Sequence, residues 1–228
     1  FRRMKERVAA ILRSQSYIEA DQDVTFLDRP EVRGLRLQLD YAKAELLLEE
    51  HDIQSTIVVV GSTRIPEPEE ARRRVAALGT ALKKDTHTAE LARRLASAER
   101  VLAKSHYYDL AREFARLVSA GSEELPDYCP VIVTGGGPGL MEAANRGADD
   151  MHAKTVGLNI TLPLEQYPNP YITPELCFRF HYFAVRKMHL LLRASALVAL
   201  PGGYGRLDEL FETLALVQAR KLEPLPIV

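Results

Sequence analysis

The spacing of apolar residues changes character near residue 55. Upstream, residues 4 to 18 and 31 to 50 carry apolar side chains at helical intervals. In the second segment Leu35, Leu39, Ala42 and Leu46 fall near one face, with Glu49 continuing the series. Ser55 to Val60 is then an uninterrupted apolar, β-branched run that reads as a buried strand, and it stops in Gly61-Ser62-Thr63-Arg64. Helical spacing returns over residues 69 to 83 and about 88 to 120. The second stretch is unusually long, with Leu91, Leu95, Ala98 and Leu102 on one side of a break near Ser105 and Leu110, Phe114 and Leu117 on the other.

From residue 131 onward, strand and helix patterns alternate. Val131 to Thr134, Thr155 to Ile160, Cys177 to Phe180 and Ala196 to Leu200 read as strands; Tyr182 to Arg193 and Leu207 to Leu222 read as helices. In the last helix Leu207, Leu210, Phe211, Leu214 and Val217 form a stripe expected to pack on the sheet. Leu225 to Val228 reads as the beginning of another strand. Strands that alternate with helices need crossover connections, which predict an α/β fold with a doubly wound, mostly parallel sheet. The expected organisation is a helical extension over residues 1–54 and a single sheet-centred domain over residues 55–228, with the long helical segment 69–120 inside it.

Composition changes this picture little. With 228 residues and 46% hydrophobic content the chain can build one sizeable core. Thirty basic against 31 acidic residues exclude bulk attraction to nucleic acid or to a membrane surface, so any anion binding must be local. The basic runs at Arg72 to Arg74 and Lys83-Lys84 read as solvated helix faces. No apolar run reaches the length of a membrane span and no secretory leader is visible, and Cys129 and Cys177 have no metal-ligand or redox spacing. These features place the expected protein in the cytoplasm, with free, mostly buried thiols.

The candidate chemistry lies where strands break into glycines and then into helices. Val131 to Thr134 runs into Gly135-Gly136-Gly137-Pro138-Gly139-Leu140-Met141, and Ala196 to Leu200 runs into Pro201-Gly202-Gly203-Tyr204-Gly205-Arg206. Such turns put bare backbone N–H groups and the positive end of a helix dipole where an anion can sit. Two of them at one edge of a sheet point to a phosphorylated ligand. The G-x-G-x-x-G dinucleotide pattern fails at Gly135 to Leu140, and neither turn ends in Gly-Lys-Ser/Thr, so hydride transfer and nucleoside triphosphate hydrolysis are disfavoured. His51, His87, His106, His152, His181 and His189 show no paired ligand spacing, and no metal site is expected.

Taken together, Gly135 to Ala148 (GGGPGLMEAANRGA), Pro201 to Glu212 (PGGYGRLDELFE) and the intervening Tyr182 to Met188 (YFAVRKM) closely resemble the LOG family, whose members are often labelled "possible lysine decarboxylase". The resemblance covers roughly Ser55 to Val228 and leaves out the N-terminal helices and the long 70–120 segment. It implies a Rossmann-like fold, a homodimer or larger homo-oligomer, and hydrolysis of the N-glycosidic bond of a nucleoside 5′-monophosphate. The implied substrate is adenylate or an N6-modified adenylate of the cytokinin type, with no organic cofactor and no metal. By the same resemblance Glu209 and Arg186 are the catalytic residues. Gly61, Ser62, Gly136, Gly137, Gly139, Met141, Lys187, Gly202, Gly203, Gly205 and Arg206 contact substrate or its phosphate. Asp208 and Glu212 are matched in the pattern, while Asn145 and Arg146 read as helix-capping or pairing residues.

The residue types suit that chemistry. Cleaving an N-glycosidic bond develops positive charge on the ribose, which a carboxylate at Glu209 can stabilise, and a helix-start position favours its ionisation. An arginine at position 186 is always cationic and can hold hydroxyls, phosphate or the departing base. Lysine decarboxylation, by contrast, needs a Schiff-base lysine and a pyridinium partner, and no such motif is present. One position departs from the family pattern: Arg206 stands where the family normally has Thr. The expectation is that its guanidinium replaces the hydroxyl at the phosphate. A non-catalytic nucleotide-binding or sensing protein on the same fold is the alternative this departure keeps open.

Overall fold

The computed structural model describes residues 2–84, 89–124, 129–162 and 167–228. His87 and the residue 88 start of the second long helix lie outside the described residues. The chain divides into two compact units, residues 1–43 and 44–228.

The first unit is helical. It holds α1 (Arg2–Leu12), a 3-10 turn (Gln15–Tyr17), the short α2 (Val24–Leu27) and the opening of α3 (Arg33–Glu50). Asp23 caps α2, its carboxylate accepting from the Phe26 amide at 2.9 Å and from Gln15 Nε2 at 2.8 Å. Helix α1 buries no residue. In α3 the predicted face is the wrong one: Leu35, Leu39 and Leu46 are exposed, whereas Ala44 and Leu48 are buried.

The second unit is built on five parallel strands among the described residues: β1 (Thr56–Val60), β2 (Val131–Thr134), β3 (Thr155–Ile160), β4 (Cys177–Phe180) and β5 (Ala194–Ala199). Their order is β4-β3-β2-β1-β5. The strands advance from β1 to β4 in one direction, and the chain then returns to place β5 on the other side of β1. Right-handed crossovers on the outward and return paths load helices on opposite faces, which is the doubly wound, Rossmann-like arrangement. Beyond β5, Ile227 pairs in parallel with Leu197, and the Val228 amide donates to Leu197 O at 3.0 Å, so residues 225–228 add to the sheet as the pattern predicted.

The β-branched run of β1 is nearly inaccessible because strands flank it on both sides. Val59, Ile132 and Val198 from three strands meet Ala115, Ala144 and Ala148 in one core cluster. Between β1 and β2 lie α4 (Pro68–Lys84), α5 (Ala89–Lys104) and α6 (His106–Glu124). Helix α4 opens with Pro68, Glu69 and Glu70 and closes with Lys83 and Lys84, matching charge to the dipole at both ends. The break at Ser105 is real: its hydroxyl donates to Leu102 O at 2.8 Å, closing α5, while its carbonyl accepts from the Tyr108 amide at 2.9 Å, opening α6.

Two further helix faces differ from the periodicity. In α6, Leu110 and Leu117 are exposed while Tyr108, Ala111 and Ala115 are buried. The cause is the close approach of α7 (Leu140–Asp149): a Cβ at Gly147 would lie 2.1 Å from Arg112 O, so small residues fit that crossing, while Tyr108 is buried with its hydroxyl donating to Glu142 at 3.0 Å. In α9 (Tyr204–Gln218) the stripe expected on the sheet is only partly covered: Leu210 and Val217 are half-buried, whereas Phe211 is 63% and Leu214 44% exposed, and Thr213 is fully buried. Cys177 is half-buried and Cys129 exposed, and neither is joined in a disulfide, so the expected burial holds only in part. No helix among the described residues is long and apolar enough to cross a membrane.

Candidate functional site

Ligands of doubly wound sheets bind beyond the carboxyl ends of the strands, where the strand order reverses. Here that point lies between β1 and β5, and the three polar turns converge on it. The Ser62 amide donates to Pro201 O at 3.0 Å, and the Leu140 amide donates to Ser62 O at 3.0 Å. Gly61, Ser62, Gly139 and Gly202 are therefore brought together. Gly61 is required by packing, because a Cβ there would lie 2.7 Å from Leu140 Cβ.

The turn after β2 is held by backbone geometry that only glycine adopts easily. Gly136 and Gly139 have φ of 73° and 74°. A Cβ at Gly136 would lie 1.6 Å from Asn159 Oδ1, and one at Gly139 would lie 2.4 Å from Ser62 O. The Gly136 amide is already committed, donating to Thr134 Oγ1 at 2.9 Å. Gly136 thus shapes the turn, and the amides left without an intrahelical partner at the start of α7 are those of Met141 and Glu142, since Leu140's is taken and Ala143's donates to Gly139 O.

The second glycine turn is more open. Gly203 is the N-cap of α9, and a Cβ at Gly203 or Gly205 would meet nothing within 4 Å. The Tyr204, Gly205 and Arg206 amides occupy the first three helical positions, and the first intrahelical bond runs from the Leu207 amide to Gly203 O at 3.4 Å. Free donors and empty space therefore coincide at the positive end of α9.

The structure places Arg186 and Glu209 face to face. Arg186, on α8 (Phe183–Leu191), is buried; its Nε donates to Leu158 O at 2.7 Å and its Nη2 to Glu209 Oε1 at 3.1 Å. The guanidinium lies over the Phe183 ring, 5.4 Å from its centroid, and presses against the β2 turn: a Cβ at Gly135 would lie 2.7 Å from Nη2 and 3.0 Å from Met141 Sδ. Arg186, Glu209, Met141 and the Gly135 turn thus form one constellation. Burial raises the Glu209 carboxyl above its ordinary value, and the Arg186 charge and hydrogen bond only partly oppose that rise. Because α9 starts at Tyr204, Glu209 lies in the second turn; the first turn holds no acidic residue, so its charge state is set by burial and Arg186 and not by the dipole.

Two other residues read as substrate contacts are engaged within the protein. Lys187 Nζ lies 2.8 Å from Glu212 Oε2 and 3.0 Å from Asp208 Oδ2, tying α8 to α9. Burial works against the Lys187 charge, yet these two carboxylates raise its pKa overall. Arg206 folds back onto its own turn, Nη1 donating to Leu200 O and Nη2 to Gly202 O at 3.4 Å, with Nε buried. The guanidinium braces the end of β5 and the glycine turn.

A supporting network escaped the sequence reading. Asn169 Nδ2 donates to Gly136 O at 3.2 Å, Gly137 O at 3.1 Å and Asn145 Oδ1 at 2.9 Å; Asn145 in turn accepts from Thr134 Oγ1 at 2.7 Å and donates to Thr155 Oγ1 at 2.6 Å. These buried amides hold the β2 turn from below. The Pro168-Asn169-Pro170 run signals a fixed turn but not its target. Arg146 pairs with Glu67 at 3.5 Å and covers the Tyr171 ring, away from the Arg186 constellation. Among the described residues no group of three or more His, Cys, Asp or Glu side chains could hold a metal ion.

The family model described as possible lysine decarboxylase matches residues 141–228, from the start of α7 through α8, β5 and α9. No curated protein matches the chain. Among solved structures, the X-ray structure of TM1055, a Northeast Structural Genomics Consortium target, is similar at 20% identity with a TM-score of 0.45, covering 76% of this chain and 72% of that one.

Proposed function

From a chain whose residues 141–228 carry the sequence pattern of the possible lysine decarboxylase family, the group its glycine turns resemble, we propose a nucleoside 5′-monophosphate phosphoribohydrolase acting in the cytoplasm. The observation that carries this reading is the pairing of buried Arg186 with half-buried Glu209 beside two glycine turns whose helix-start amides lack intrahelical partners. The 5′-phosphate is held by the α9 amides of Tyr204, Gly205 and Arg206 and by the α7 amides of Met141 and Glu142. That contact positions the ribose so that its anomeric carbon faces Glu209.

As the C1′–N bond breaks, its electron pair leaves with the base and the ribose becomes cationic. The Glu209 carboxylate stabilises that cation and takes a proton from the attacking water, and one proton in turn passes to the nitrogen of the departing base. Arg186, anchored on Leu158 O, favours the ionised carboxylate against the effect of burial and holds ribose hydroxyls or the base. The products are the free base and ribose 5-phosphate, and adenylate or an N6-modified adenylate is the proposed substrate.

The decarboxylase label in the family's description gains no support from the site's lysine. A Schiff-base lysine must become neutral, whereas Lys187 is held charged between Asp208 and Glu212.

Incubation with a panel of nucleoside monophosphates and the matching nucleosides tests the proposal. Adenosine 5′-monophosphate is expected to release adenine and adenosine almost none. Tight binding with no release of base from any nucleotide would replace it with the sensing reading.

A further inference from the structure

Between α4, α5 and the turn after β1 lies a groove of about 710 Å³ whose wall carries Arg64, Arg74 and Arg94. It shares Arg64 and Ser97 with a second hollow of about 230 Å³, lined also by Arg100 and Lys104, that opens onto Ser62 and Gly202 of the candidate phosphate site. The two adjoin across Arg64, Ser97 and Val101 as a basic channel beside the glycine turns. Among the described residues neither hollow is lined by a carboxylate. Arg74 lies 4.0 Å from Glu70, but among the described residues no ion pair is made by Arg64, Arg94, Arg100 or Lys104. Arg94, Ser97, Val101 and Lys104 recur at three- and four-residue intervals, so one face of α5 supplies much of this wall.

We propose that this channel is a second anion subsite, which takes a phosphoryl group beyond the one held at the glycine turns. It deepens the reading above and rests on it for the position of the first phosphate. The chain carries a net charge of −1, so the local excess of cations is not a reflection of a basic protein. Clustered like charges without counter-charges repel one another, and an anion relieves that repulsion. Guanidinium forks suit phosphoryl oxygens in particular. The combined volume is in the range of small-ligand pockets, about 300–1,000 Å³. Among the described residues no aromatic side chain lines either hollow, which argues against a platform for stacked bases and for a compact polyphosphate. The occupant is then either the distal phosphates of a nucleoside di- or triphosphate or a separate inorganic polyphosphate.

Calorimetry at low salt with adenosine 5′-mono-, di- and triphosphate, and with tripolyphosphate in the presence of saturating monophosphate, tests this. The expected result is that the di- and triphosphate bind about tenfold or more tighter than the monophosphate. The gap should vanish in the double variant Arg100→Ala, Lys104→Ala, whose monophosphate affinity is unchanged. Arg93→Ala, on the same helix but outside the channel, should keep it. Tripolyphosphate binding alongside the monophosphate, lost in the same double variant, would support the subsite with a separate occupant. Equal affinity for all three nucleotides with no tripolyphosphate binding would overturn the proposal, as would a gap that survives the double variant. Oligonucleotide binding tighter than tripolyphosphate, and lost in that variant, would overturn it in favour of a nucleic-acid surface. Base release without an affinity gap would defeat this subsite alone, whereas a gap without base release from any nucleotide would defeat only the hydrolase reading.

Discussion

Glu209 accepts a hydrogen bond from Arg186 at 3.1 Å, and that arginine also donates to Leu158 O, so one buried cation links a helix-borne carboxylate to the carbonyl of a central strand. The consequence is a carboxylate with a fixed direction but an unfavourable environment. Burial raises its pKa even with the cation in place.

Glu209→Gln separates these two roles. Loss of the charge should lower turnover by roughly 100-fold or more while nucleotide binding is kept, as expected when transition-state stabilisation is removed. Thermal unfolding at neutral pH should show no loss of stability, because the neutral amide mimics the protonated form that burial favours. A clear fall in melting temperature would show that the Arg186 contact outweighs the burial.

The pH dependence follows from the same raised pKa. The ionised carboxylate is the working form, so kcat/KM should fall on acidification with a midpoint above the ordinary glutamate value of 4.5. Stability runs the other way. The folded state holds this proton more tightly than the unfolded chain, so the contribution is present below the unfolded pKa and lost as pH rises through the folded one. Unfolding curves of wild type and Glu209→Gln compared across this window should diverge in that sense.

Arg206→Thr tests the brace on the β5 turn. Its guanidinium donates to Leu200 O and Gly202 O, so removal should cost about 1–2 kcal/mol of stability and loosen the turn. Monophosphate and bare nucleoside should both bind less well. Weakening confined to the monophosphate, with stability unchanged, would instead return Arg206 to the phosphate.

The homo-oligomer expected from the family resemblance has a candidate seam in the exposed part of the α9 stripe. Phe211 and Leu214 are exposed there, as are Met188 on α8 and Leu192 just past its end. Phe211→Glu should shift the protein to monomer in analytical ultracentrifugation with the fold retained by circular dichroism. An unchanged mass would exclude this face.

The strands were legible because each is a short run of apolar or alternating residues set off by turn-forming segments; Thr155–Ile160 and Cys177–Phe180 coincide with their predicted limits. The glycine turns were legible because a strand that ends in glycine before a helix has few conformational options. The helix faces were less so. Periodicity of large apolar residues selected Leu35, Leu39 and Leu46 in α3 and Leu110 and Leu117 in α6, yet the buried faces run through Ala44 and Leu48 and through Ala111 and Ala115.

By itself the sequence determined the alternation of strands and helices, the two phosphate-type turns and the residue types at 186 and 209, all properties of short segments whose local chemistry is nearly sufficient. Tertiary structure decided which helix surfaces are covered, because close helix approach at Gly147 rewards small residues over large ones. It also decided where long cationic side chains point. Lys187 and Arg206 found partners within the fold, whereas Arg64, Arg100 and Lys104 came to line a channel beside Gly202. A flexible charged side chain is directed by whatever acceptors the packed chain brings within reach, and those acceptors lie far from it in sequence.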